Sequence, residues 1–397
     1  MLRLIHSDPI DLPEGCQWVG RPAETAELAA WLKPWQQPGF TSDLLVLLAG
    51  TRTAERQGIS AAGATTSSRR LTALADAELL LRGPEARRRW ALPPLPAGVS
   101  PALLSRVAVE SLRLNPRLVA LGLPHEPDFP HLRLESISQG PAACLSGGQA
   151  MAPSRVERLW SQGEQLGRRL RRPLVLAECV PGGTTTALAV LTALGLQVGE
   201  LVSGSARQPP QALKQQLVEA GLRRAQLPPD PSARAVLAAV GDPFQAVAAG
   251  LLCGAAEVDQ PVLLGGGSQM VAVLTLALSA LPLLLRQRLS QRVLIGTTAW
   301  LAEESVVPPV GSMFSRLVAL AGDRCDVPLA AMASGVRFSR SRHQQLRDFE
   351  RGFVKEGVGA GALLLLAQLQ GFSTDQLQQS CDRAMDRLLN APVGSGA

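Results

Sequence analysis

The sequence of 397 residues contains no tyrosine, and aromatic residues make up only 4% of it. Surfaces that bind single-stranded nucleic acid stack bases on aromatic side chains, so this composition does not favour such a surface. Lysine and arginine together exceed aspartate and glutamate by only six residues, 39 against 33, and the excess is scattered along the chain. We therefore expect no nucleic-acid partner.

Cysteine and histidine are also scarce. The six cysteines form no C-x-x-C pair, and the four histidines do not lie at metal-ligand spacing. This distribution favours buried, reduced thiols over zinc sites or disulfides. Residues 1–9 lack the apolar core of a signal peptide, which leads us to expect a cytoplasmic protein. We expect neither a metal ion nor another cofactor.

One stretch, residues 261–285, has no charged residue at all. Its 25 residues are long enough to span a bilayer, which keeps a membrane anchor as an alternative. However, three glycines interrupt the run after its first four residues, and Pro282 interrupts it again. These breaks favour a buried strand, a glycine loop and a buried helix. We therefore expect no membrane partner.

The most informative stretch runs from residue 174 to residue 195. An apolar run at 174–177 ends at Glu178, a Pro-Gly-Gly-Thr-Thr-Thr turn follows, and residues 187–194 have the pattern of an apolar helix. Glycines let a backbone approach a ligand closely, and the free amides of a helix N-terminus attract phosphate. The alternative is a tight turn in which the threonines only cap the helix. No Walker A or GxGxxG motif is present.

The same pattern recurs along the chain. Apolar runs that end in small polar residues predict five consecutive buried strands, at 174–177, 197–202, 235–240, 261–264 and 291–295, after an earlier strand at 43–49. Such a series predicts an α/β protein with a Rossmann-like parallel sheet flanked by helices. Ligands of open parallel sheets bind at the carboxyl ends of the strands, so the glycine, serine and threonine turns should meet at one edge.

The chain divides into three predicted parts. Residues 1–40 form an N-terminal arm, residues 41–335 form the parallel α/β nucleotide-binding domain, and residues 336–397 form a C-terminal helical part. The arm and the C-terminal part together should build a smaller helical domain. The C-terminal part contains Glu356 between glycine-rich segments, where a carboxylate is either a helix-terminal residue or a group that a substrate can approach closely.

Three motifs together look like the nicotinate-nucleotide-dependent phosphoribosyltransferase family. They are the Glu-Cys-Val-Pro-Gly-Gly-Thr-Thr-Thr loop that begins at Glu178, the Gly-Gly-Gly-Ser-Gln-Met loop that begins at Gly265, and the Lys-Glu-Gly-Val-Gly-Ala-Gly segment that begins at Lys355. The resemblance covers about residues 43–365 and is closest to the archaeal and cyanobacterial branch. The better-known branch is nicotinate-nucleotide:dimethylbenzimidazole phosphoribosyltransferase.

The resemblance implies roles for individual residues. Glu356 matches the family's catalytic base, Glu178 would lie near the ribose, and Ser60 would lie beside the acceptor base. The residues implied in phosphate and ribose binding are Gly182, Gly183, Thr184, Thr185, Ser203, Gly204, Ser205, Gly265 and Gly266. The family's Asp-His-Gly segment is absent, with Gly50-Thr51-Arg52 near its place.

The implied activity is transfer of the 5-phosphoribosyl group of nicotinate mononucleotide to a lower-ligand base, either dimethylbenzimidazole or adenine. The product would be an α-ribotide for cobalamin or cobamide synthesis. The partners would be this nucleotide and a purine or benzimidazole base, and the family resemblance implies a homodimer. An alternative is a non-catalytic nucleotide-binding regulatory or assembly protein on the same fold.

Overall fold

A computed structural model describes residues 11–20, 25–37, 39–305 and 312–391 of the chain. Within these residues, a single eight-stranded sheet is flanked by fifteen α-helices, so the predicted α/β class is confirmed. The division into three parts stays a prediction, and residues 1–10 and 392–397 of its terminal parts lie outside the described residues.

The sheet has the strand order β1-β8-β7-β6-β5-β2-β3-β4. Strand β1 at one edge is antiparallel to β8, and every other neighbouring pair is parallel. The strands are β1 (Gln17–Val19), β2 (Asp43–Ala49), β3 (Pro116–Leu121), β4 (Leu132–Arg133), β5 (Leu174–Cys179), β6 (Val262–Gly265), β7 (Val293–Thr297) and β8 (Ala330–Ala333).

Helices cover both faces of the sheet. They are α1 (Thr25–Leu32), α2 (Thr66–Arg82), α3 (Ala102–Leu112), α4 (Pro153–Arg168), α5 (Gly183–Ala193), α6 (Gln211–Ala225), α7 (Ala233–Val240), α8 (Pro243–Glu257), α9 (Ser268–Ala280), α10 (Leu283–Arg292), α11 (Ala299–Ala302), α12 (Met313–Cys325), α13 (Gln344–Glu350), α14 (Ala360–Leu369) and α15 (Thr374–Leu389).

The central strands are apolar along their whole length because both of their faces are buried. In β2, Leu45 and Leu47 belong to one hydrophobic core, whereas Leu44, Val46 and Leu48 belong to the core on the opposite face. Side chains of a strand alternate between its two faces, and a parallel sheet covered by helices needs apolar residues on both. This double burial explains why continuous apolar runs identified β2, β5, β6 and β7.

Two of the predicted strands are wrong. Residues 235–240 belong to helix α7, where Ala233, Val236, Leu237 and Val240 are buried at helical spacing and Ser232 caps the N-terminus. Residues 197–202 form an irregular segment with a turn in which the Leu201 amide donates to the Val198 carbonyl over 3.0 Å. A short apolar run has too few residues to distinguish a strand from a buried helix or loop by its periodicity.

The uncharged stretch 261–285 is a strand, a loop and a helix, as predicted. Strand β6 is followed by a glycine turn and by α9, whose residues from Ser268 to Leu278 are buried in the protein core. In the part of the chain that the structure describes, we find no helix with the length and hydropathy needed to cross a membrane. The apolar character of this stretch is therefore explained by burial within the fold.

Helix α14 brings the segment before it to the carboxyl ends of the central strands. Its residues are all buried, and it packs across β6 and β7. A Cβ atom at Gly296 would lie only 2.7 Å from the Cβ atom of Ala362, so the helix and the strand approach each other at backbone distance. This packing positions residues 352–359, which precede α14, above the ends of β5 and β7.

Helices α4 and α8 also pack at backbone distance, through two pairs of glycines. A Cβ atom at Gly163 would lie 2.2 Å from the Val247 carbonyl oxygen, and one at Gly250 would lie 2.2 Å from the Trp160 carbonyl oxygen. Gly167 and Gly254 make equally close approaches one turn further along. Since such contacts leave no room for a side chain, the two helices must separate if a methyl group is added.

We expect Gly250→Ala to lower the free energy of unfolding by about 3 kcal/mol, because overpacking here meets backbone that cannot rotate away. Urea unfolding followed by circular dichroism would measure this loss. The matched control is Gly147→Ala, since a Cβ atom at exposed Gly147 meets nothing within 4 Å. Equal stabilities of the two variants would contradict the close packing of α4 against α8.

Candidate active site

A cavity of about 270 Å³ lies at the carboxyl ends of the central strands. The turn after β5, the turn before α9 and the segment before α14 all contribute to its wall, as does the irregular segment that follows residue 200. Polar side chains from these segments meet there although they are up to about 180 residues apart in sequence, as for Glu178 and Glu356. The arrangement agrees with the position expected for a ligand site in a parallel sheet.

The Glu356 carboxylate is held by four hydrogen-bond donors. Its Oε2 atom accepts from the Thr298 amide at 2.9 Å and from the Thr297 hydroxyl at 3.1 Å. Its Oε1 atom accepts from the amides of Gly357 and Gly361, both at 3.1 Å. Only glycine fits at Gly361, where a Cβ atom would lie 2.1 Å from the Thr297 carbonyl carbon and 2.5 Å from Glu356 Oε2. The carboxylate is therefore fixed in one position at the cavity wall.

The backbone around Glu356 is strained. Val354, Lys355 and Val358 have φ angles of 65°, 58° and 52°, in a left-handed region that residues other than glycine rarely occupy. Hydrogen bonds to neighbouring segments hold this conformation, and the Val358 amide donates to the Glu178 carbonyl at 3.1 Å. Backbone strain of this kind persists where the surrounding structure fixes it, and it is common at functional sites.

Burial raises the pKa of Glu356 to about 7, and the four donors oppose this shift without cancelling it. Donors that point at a carboxylate stabilise its charged form, whereas removal from water destabilises it. At neutral pH the carboxyl group is thus divided between its charged and neutral forms. A group with this pKa can take up a proton and release it again under physiological conditions.

Glu178 lies at the end of β5, and its pKa is raised further, to about 8. Burial is the largest cause, the negative charge of Asp242 is the next, and the charges of Glu356 and Asp76 add to it. Asp242 itself is fully buried. Several carboxyl groups buried close together cannot all be ionised at low cost, so Glu178 holds its proton at neutral pH.

This shift predicts an unusual dependence of stability on pH. A folded-state pKa of about 8, against an ordinary value of 4.5, means that stability falls as pH rises from about 4.5 to about 8. Glu178→Gln removes the group whose ionisation lowers the stability, so the variant should be more stable than the unmodified protein at pH 9. The expected gain is a few kcal/mol, because one pKa unit corresponds to about 1.4 kcal/mol. The gain should shrink toward pH 5.

Urea unfolding at several pH values would measure this effect. The exposed Glu219 supplies the matched control, since Glu219→Gln should follow the pH dependence of the unmodified protein. A constant difference between Glu178→Gln and the unmodified protein from pH 5 to pH 9 would show that Glu178 is not protonated in the native state.

A buried polar network fixes the turn after β5. Asp242 accepts from the Thr186 hydroxyl at 2.6 Å and from the Gln269 side-chain amide at 3.0 Å, and Gln269 in turn accepts from the Gln245 side chain at 2.7 Å. Asp242 and Gln245 also form the capping box of α8. The N-terminal ends of α5, α8 and α9 are therefore tied together below the cavity.

Two buried lysines lie on another part of the wall. The Lys355 ammonium donates to Glu304 at 2.6 Å and to the Ser203 hydroxyl at 3.1 Å. The Lys214 ammonium donates to the Ser203 carbonyl oxygen at 2.7 Å. Burial lowers the pKa of Lys214 to about 7, the charge of Lys355 lowers it as well, and the charge of Glu304 opposes both. Glu304 pairs with Lys355 and not with Lys214 among the described residues, so Lys214 in its protonated form supplies a positive charge suited to an anion.

The cavity brings together most of the residues that the sequence singled out. Its wall contains Glu356, Glu178, Ser60, Gly182, Gly183, Thr184, Ser203, Gly204 and Ser205. It does not contain Thr185, which is buried in the first turn of α5, or Gly265 and Gly266. Gly265 packs against Gly359, while the next residues, Gly267 to Gln269, line the cavity instead.

The comparisons with known proteins agree with this geometry. A UPF0284 protein from Parasynechococcus marenigrum is 63% identical over 399 aligned positions that cover 100% of both chains. The chain belongs to the UPF0284 family. Another UPF0284 member, from Prochlorococcus marinus strain MIT 9313, is 57% identical over 96% of this chain and 95% of its own.

Two further comparisons connect this UPF0284 protein with phosphoribosyltransferases. Residues 107–284 match a family model described as phosphoribosyltransferase. The fold is similar to that of nicotinate-nucleotide-dimethylbenzimidazole phosphoribosyltransferase from Thermus thermophilus, with a TM-score of 0.57, 20% identity, and coverage of 93% of this chain and 92% of that one. The family resemblance carried by the motifs is thus confirmed. The family model and the similar fold support a relationship to phosphoribosyltransferases.

Sequence reasoning gave no role to several residues that line the UPF0284 cavity or lie below it. Lys214 and Lys355 are two of only three lysines in the chain, and this scarcity was a usable signal. Asp242 followed a run that was interpreted as a strand, so its capping role was missed. Asp76 interrupts the apolar helix α2, where a buried acidic residue calls for an explanation. In the described residues, no group of three or more His, Cys, Asp or Glu side chains is arranged to hold a metal ion.

Proposed function

We propose that this UPF0284 protein transfers the 5-phosphoribosyl group of nicotinate mononucleotide to a lower-ligand base, dimethylbenzimidazole or adenine. The product would be an α-ribotide for cobamide synthesis. The match to a phosphoribosyltransferase model supports the reaction class. The substrates are carried over from the family resemblance and from the name of the Thermus protein of similar fold.

The observation that carries the proposal is the position of Glu356. A carboxylate held by four donors lines the same cavity as two lysine ammonium groups. The lysines and the segment from Ser203 to Ser205 suit the 5-phosphate group, since buried ammonium groups bind phosphate strongly. The fixed carboxylate suits the reacting end of the nucleotide. One cavity thus offers both groups suited to phosphate and a carboxylate suited to act as a general base.

The proposed reaction needs little help to expel its leaving group. The pyridinium ring of nicotinate mononucleotide is already cationic, so the bond from its nitrogen to the anomeric carbon breaks with the electron pair staying on nicotinate. Positive charge develops at the anomeric carbon, as in glycoside cleavage. The acceptor nitrogen attacks from the opposite face, which converts the β-riboside into an α-riboside.

Glu356 would remove the proton that the acceptor nitrogen carries. A base works best when its pKa is close to the working pH, and a pKa of about 7 meets this condition. The same carboxylate would stabilise the positive charge on the ribose during transfer. Glu178, whose pKa is about 8, would be neutral at pH 7 and could donate a hydrogen bond to a ribose hydroxyl.

Base-dependent release of nicotinate would test the proposal. Purified protein is incubated with nicotinate mononucleotide, alone and with each base, and free nicotinate is followed by chromatography. Release that requires a base supports the transferase. Tight binding of the nucleotide without release with either base would instead support the non-catalytic regulatory or assembly protein. Release without any base would indicate hydrolysis.

The family resemblance also leads us to propose a homodimer. Light scattering of the purified protein would give a mass of twice 41.9 kDa if this is correct. A mass of 41.9 kDa at micromolar concentration would contradict it.

A further inference from the structure

Asp76 is a buried carboxyl group in the cavity wall for which the proposed transfer reaction has no use. It lies on helix α2, and only 4% of its surface is exposed. Its Oδ1 atom accepts from the Ser100 hydroxyl at 2.6 Å, and its Oδ2 atom accepts from the Cys179 thiol at 3.5 Å. Each carboxylate oxygen can accept more than one hydrogen bond, so both oxygens of this cavity-lining residue keep acceptor capacity.

The cavity that Asp76 lines has a largely apolar wall. Aliphatic side chains and prolines contribute to it, namely Ile59, Leu92, Pro93, Leu95, Val99 and Pro101. Ser60, which the family resemblance places beside the acceptor base, lies in the same wall. A flat heteroaromatic base fits surroundings of this kind, in which apolar surfaces cover its faces and a few polar groups recognise its edge.

Asp76 has no cationic partner among the residues that the structure describes. Among the ion pairs formed by the described residues, none involves Asp76, and the two cavity lysines contact Ser203 and Glu304 instead. A buried carboxyl group without a cation is costly unless hydrogen-bond donors surround it. The described part of the chain supplies one strong donor, from Ser100, and one weak donor, from Cys179. A ligand that brings an N–H group would supply a further donor.

We propose that Asp76 selects the acceptor base by accepting a hydrogen bond from an amino group on its edge, so that an aminopurine such as adenine is preferred to dimethylbenzimidazole. This inference rests on the proposed function, because it assumes that the cavity binds an acceptor base. Dimethylbenzimidazole carries two methyl groups on its outer edge. These groups would cover the carboxylate and give it no donor, which costs affinity.

Direct binding of free bases tests this inference without relying on turnover. Adenine and 6-methylpurine have nearly the same shape, but only adenine has an amino group. Calorimetric titration at pH 8, where a carboxyl with a pKa of about 6 is ionised, should show adenine binding at least 10-fold more tightly than 6-methylpurine and than dimethylbenzimidazole. Asp76→Leu should reduce the ratio between adenine and 6-methylpurine to about one, because the ligand-facing acceptor is gone.

Two further variants keep the test decisive. Asp76→Asn retains an oxygen for the Ser100 hydroxyl, so it provides a folded variant if Asp76→Leu unfolds, and it should lower the preference for adenine. Exposed Asp323 provides the matched control, since Asp323→Asn should leave the preference unchanged. Equal binding of adenine and 6-methylpurine by the unmodified protein, a ratio unaffected by both Asp76 variants, or no measurable binding of adenine would each overturn the inference.

The two proposals fail in distinguishable ways. A preference for adenine that depends on Asp76, combined with no nicotinate release, would retain the base site and reject the transferase. Base-dependent release with equal rates for adenine and dimethylbenzimidazole, in the unmodified protein and in Asp76→Asn, would retain the transferase and reject the role of Asp76.

Discussion

Glu356→Gln is expected to lower the turnover of nicotinate mononucleotide by 10²-fold or more, while the protein stays folded and still binds the nucleotide. Glutamine has nearly the same shape but cannot accept a proton at neutral pH, and loss of a general base usually costs a factor of this size. Steady-state rates and nucleotide affinity, measured on the same preparation, would separate the catalytic effect from a loss of binding.

The pH dependence of the rate gives a second signature of Glu356. A base with a pKa of about 7 is active once it has lost its proton, so kcat of the unmodified protein at saturating nucleotide should rise as pH increases through about 7. Thr297→Val removes one of the four donors that stabilise the carboxylate. This variant should move the rise to higher pH without abolishing activity.

Controls are available for both effects. Glu219→Gln changes an exposed glutamate on α6 and should leave the rate and its pH profile unchanged. Melting curves are needed for Glu356→Gln because a glutamine side chain presents its own N–H groups to two of the four donors. Turnover of Glu356→Gln at the rate of the unmodified protein would remove Glu356 from the mechanism.

The second large effect is expected at the lysines. Lys214→Met should weaken binding of nicotinate mononucleotide by about 10- to 100-fold, the usual range for a lost hydrogen bond to a charged group. The riboside of nicotinate, which lacks the phosphate, should bind the variant and the unmodified protein equally well. This difference between the two ligands would locate the effect at the phosphate.

Proton uptake provides an independent readout for Lys214. Its pKa of about 7 means that much of it is neutral at pH 8, and a phosphate dianion would favour its charged form. Nucleotide binding at pH 8 should therefore take up a proton, which calorimetry in two buffers of different ionisation enthalpy can detect, and Lys214→Met should abolish the uptake. Lys33→Met, which changes the exposed third lysine, is the control. Equal losses of nucleotide and riboside affinity in Lys214→Met would contradict phosphate recognition.

The fold class could be predicted from the sequence because the central strands are buried on both faces. Double burial turns β2, β5, β6 and β7 into continuous apolar runs, and each of these runs was recognised. The same criterion failed at residues 235–240, where a short helix is buried between other helices and is apolar on most of its sides. In the central strands and at residues 235–240 alike, the apolar run indicates that the segment is buried, and it does not distinguish a strand from a helix.

The candidate site was predictable only in part. The motif containing Glu356 identified a carboxylate between glycines, but its four donors come from residues 297, 298, 357 and 361, and this convergence depends on the packing of α14 against β7. The family resemblance implies that Gly265 and Gly266 bind phosphate and ribose as part of a glycine loop. In the structure they pack against neighbouring backbone and side chains, which is the other common reason for glycine in such a turn.

The charged groups of the cavity could not be paired from the sequence at all. Lys214, Glu304 and Lys355 lie on three separate segments. The ion pair between Lys355 and Glu304, and the contacts of both lysines with Ser203, exist only after the chain has folded. The same is true of Asp76, which faces Ser100 and Cys179 across the cavity wall. Such long-range polar contacts leave no periodic pattern in a sequence.

The identity of the product tests the central claim most directly. Protein, nicotinate mononucleotide and a base are incubated together, and the product is isolated for mass spectrometry and for proton NMR of the anomeric position. The account predicts the ribotide of the acceptor base, with the α configuration at the anomeric carbon. It should form in the same molar amount as the nicotinate released. A β-configured product, or ribose phosphate without an attached base, would contradict it.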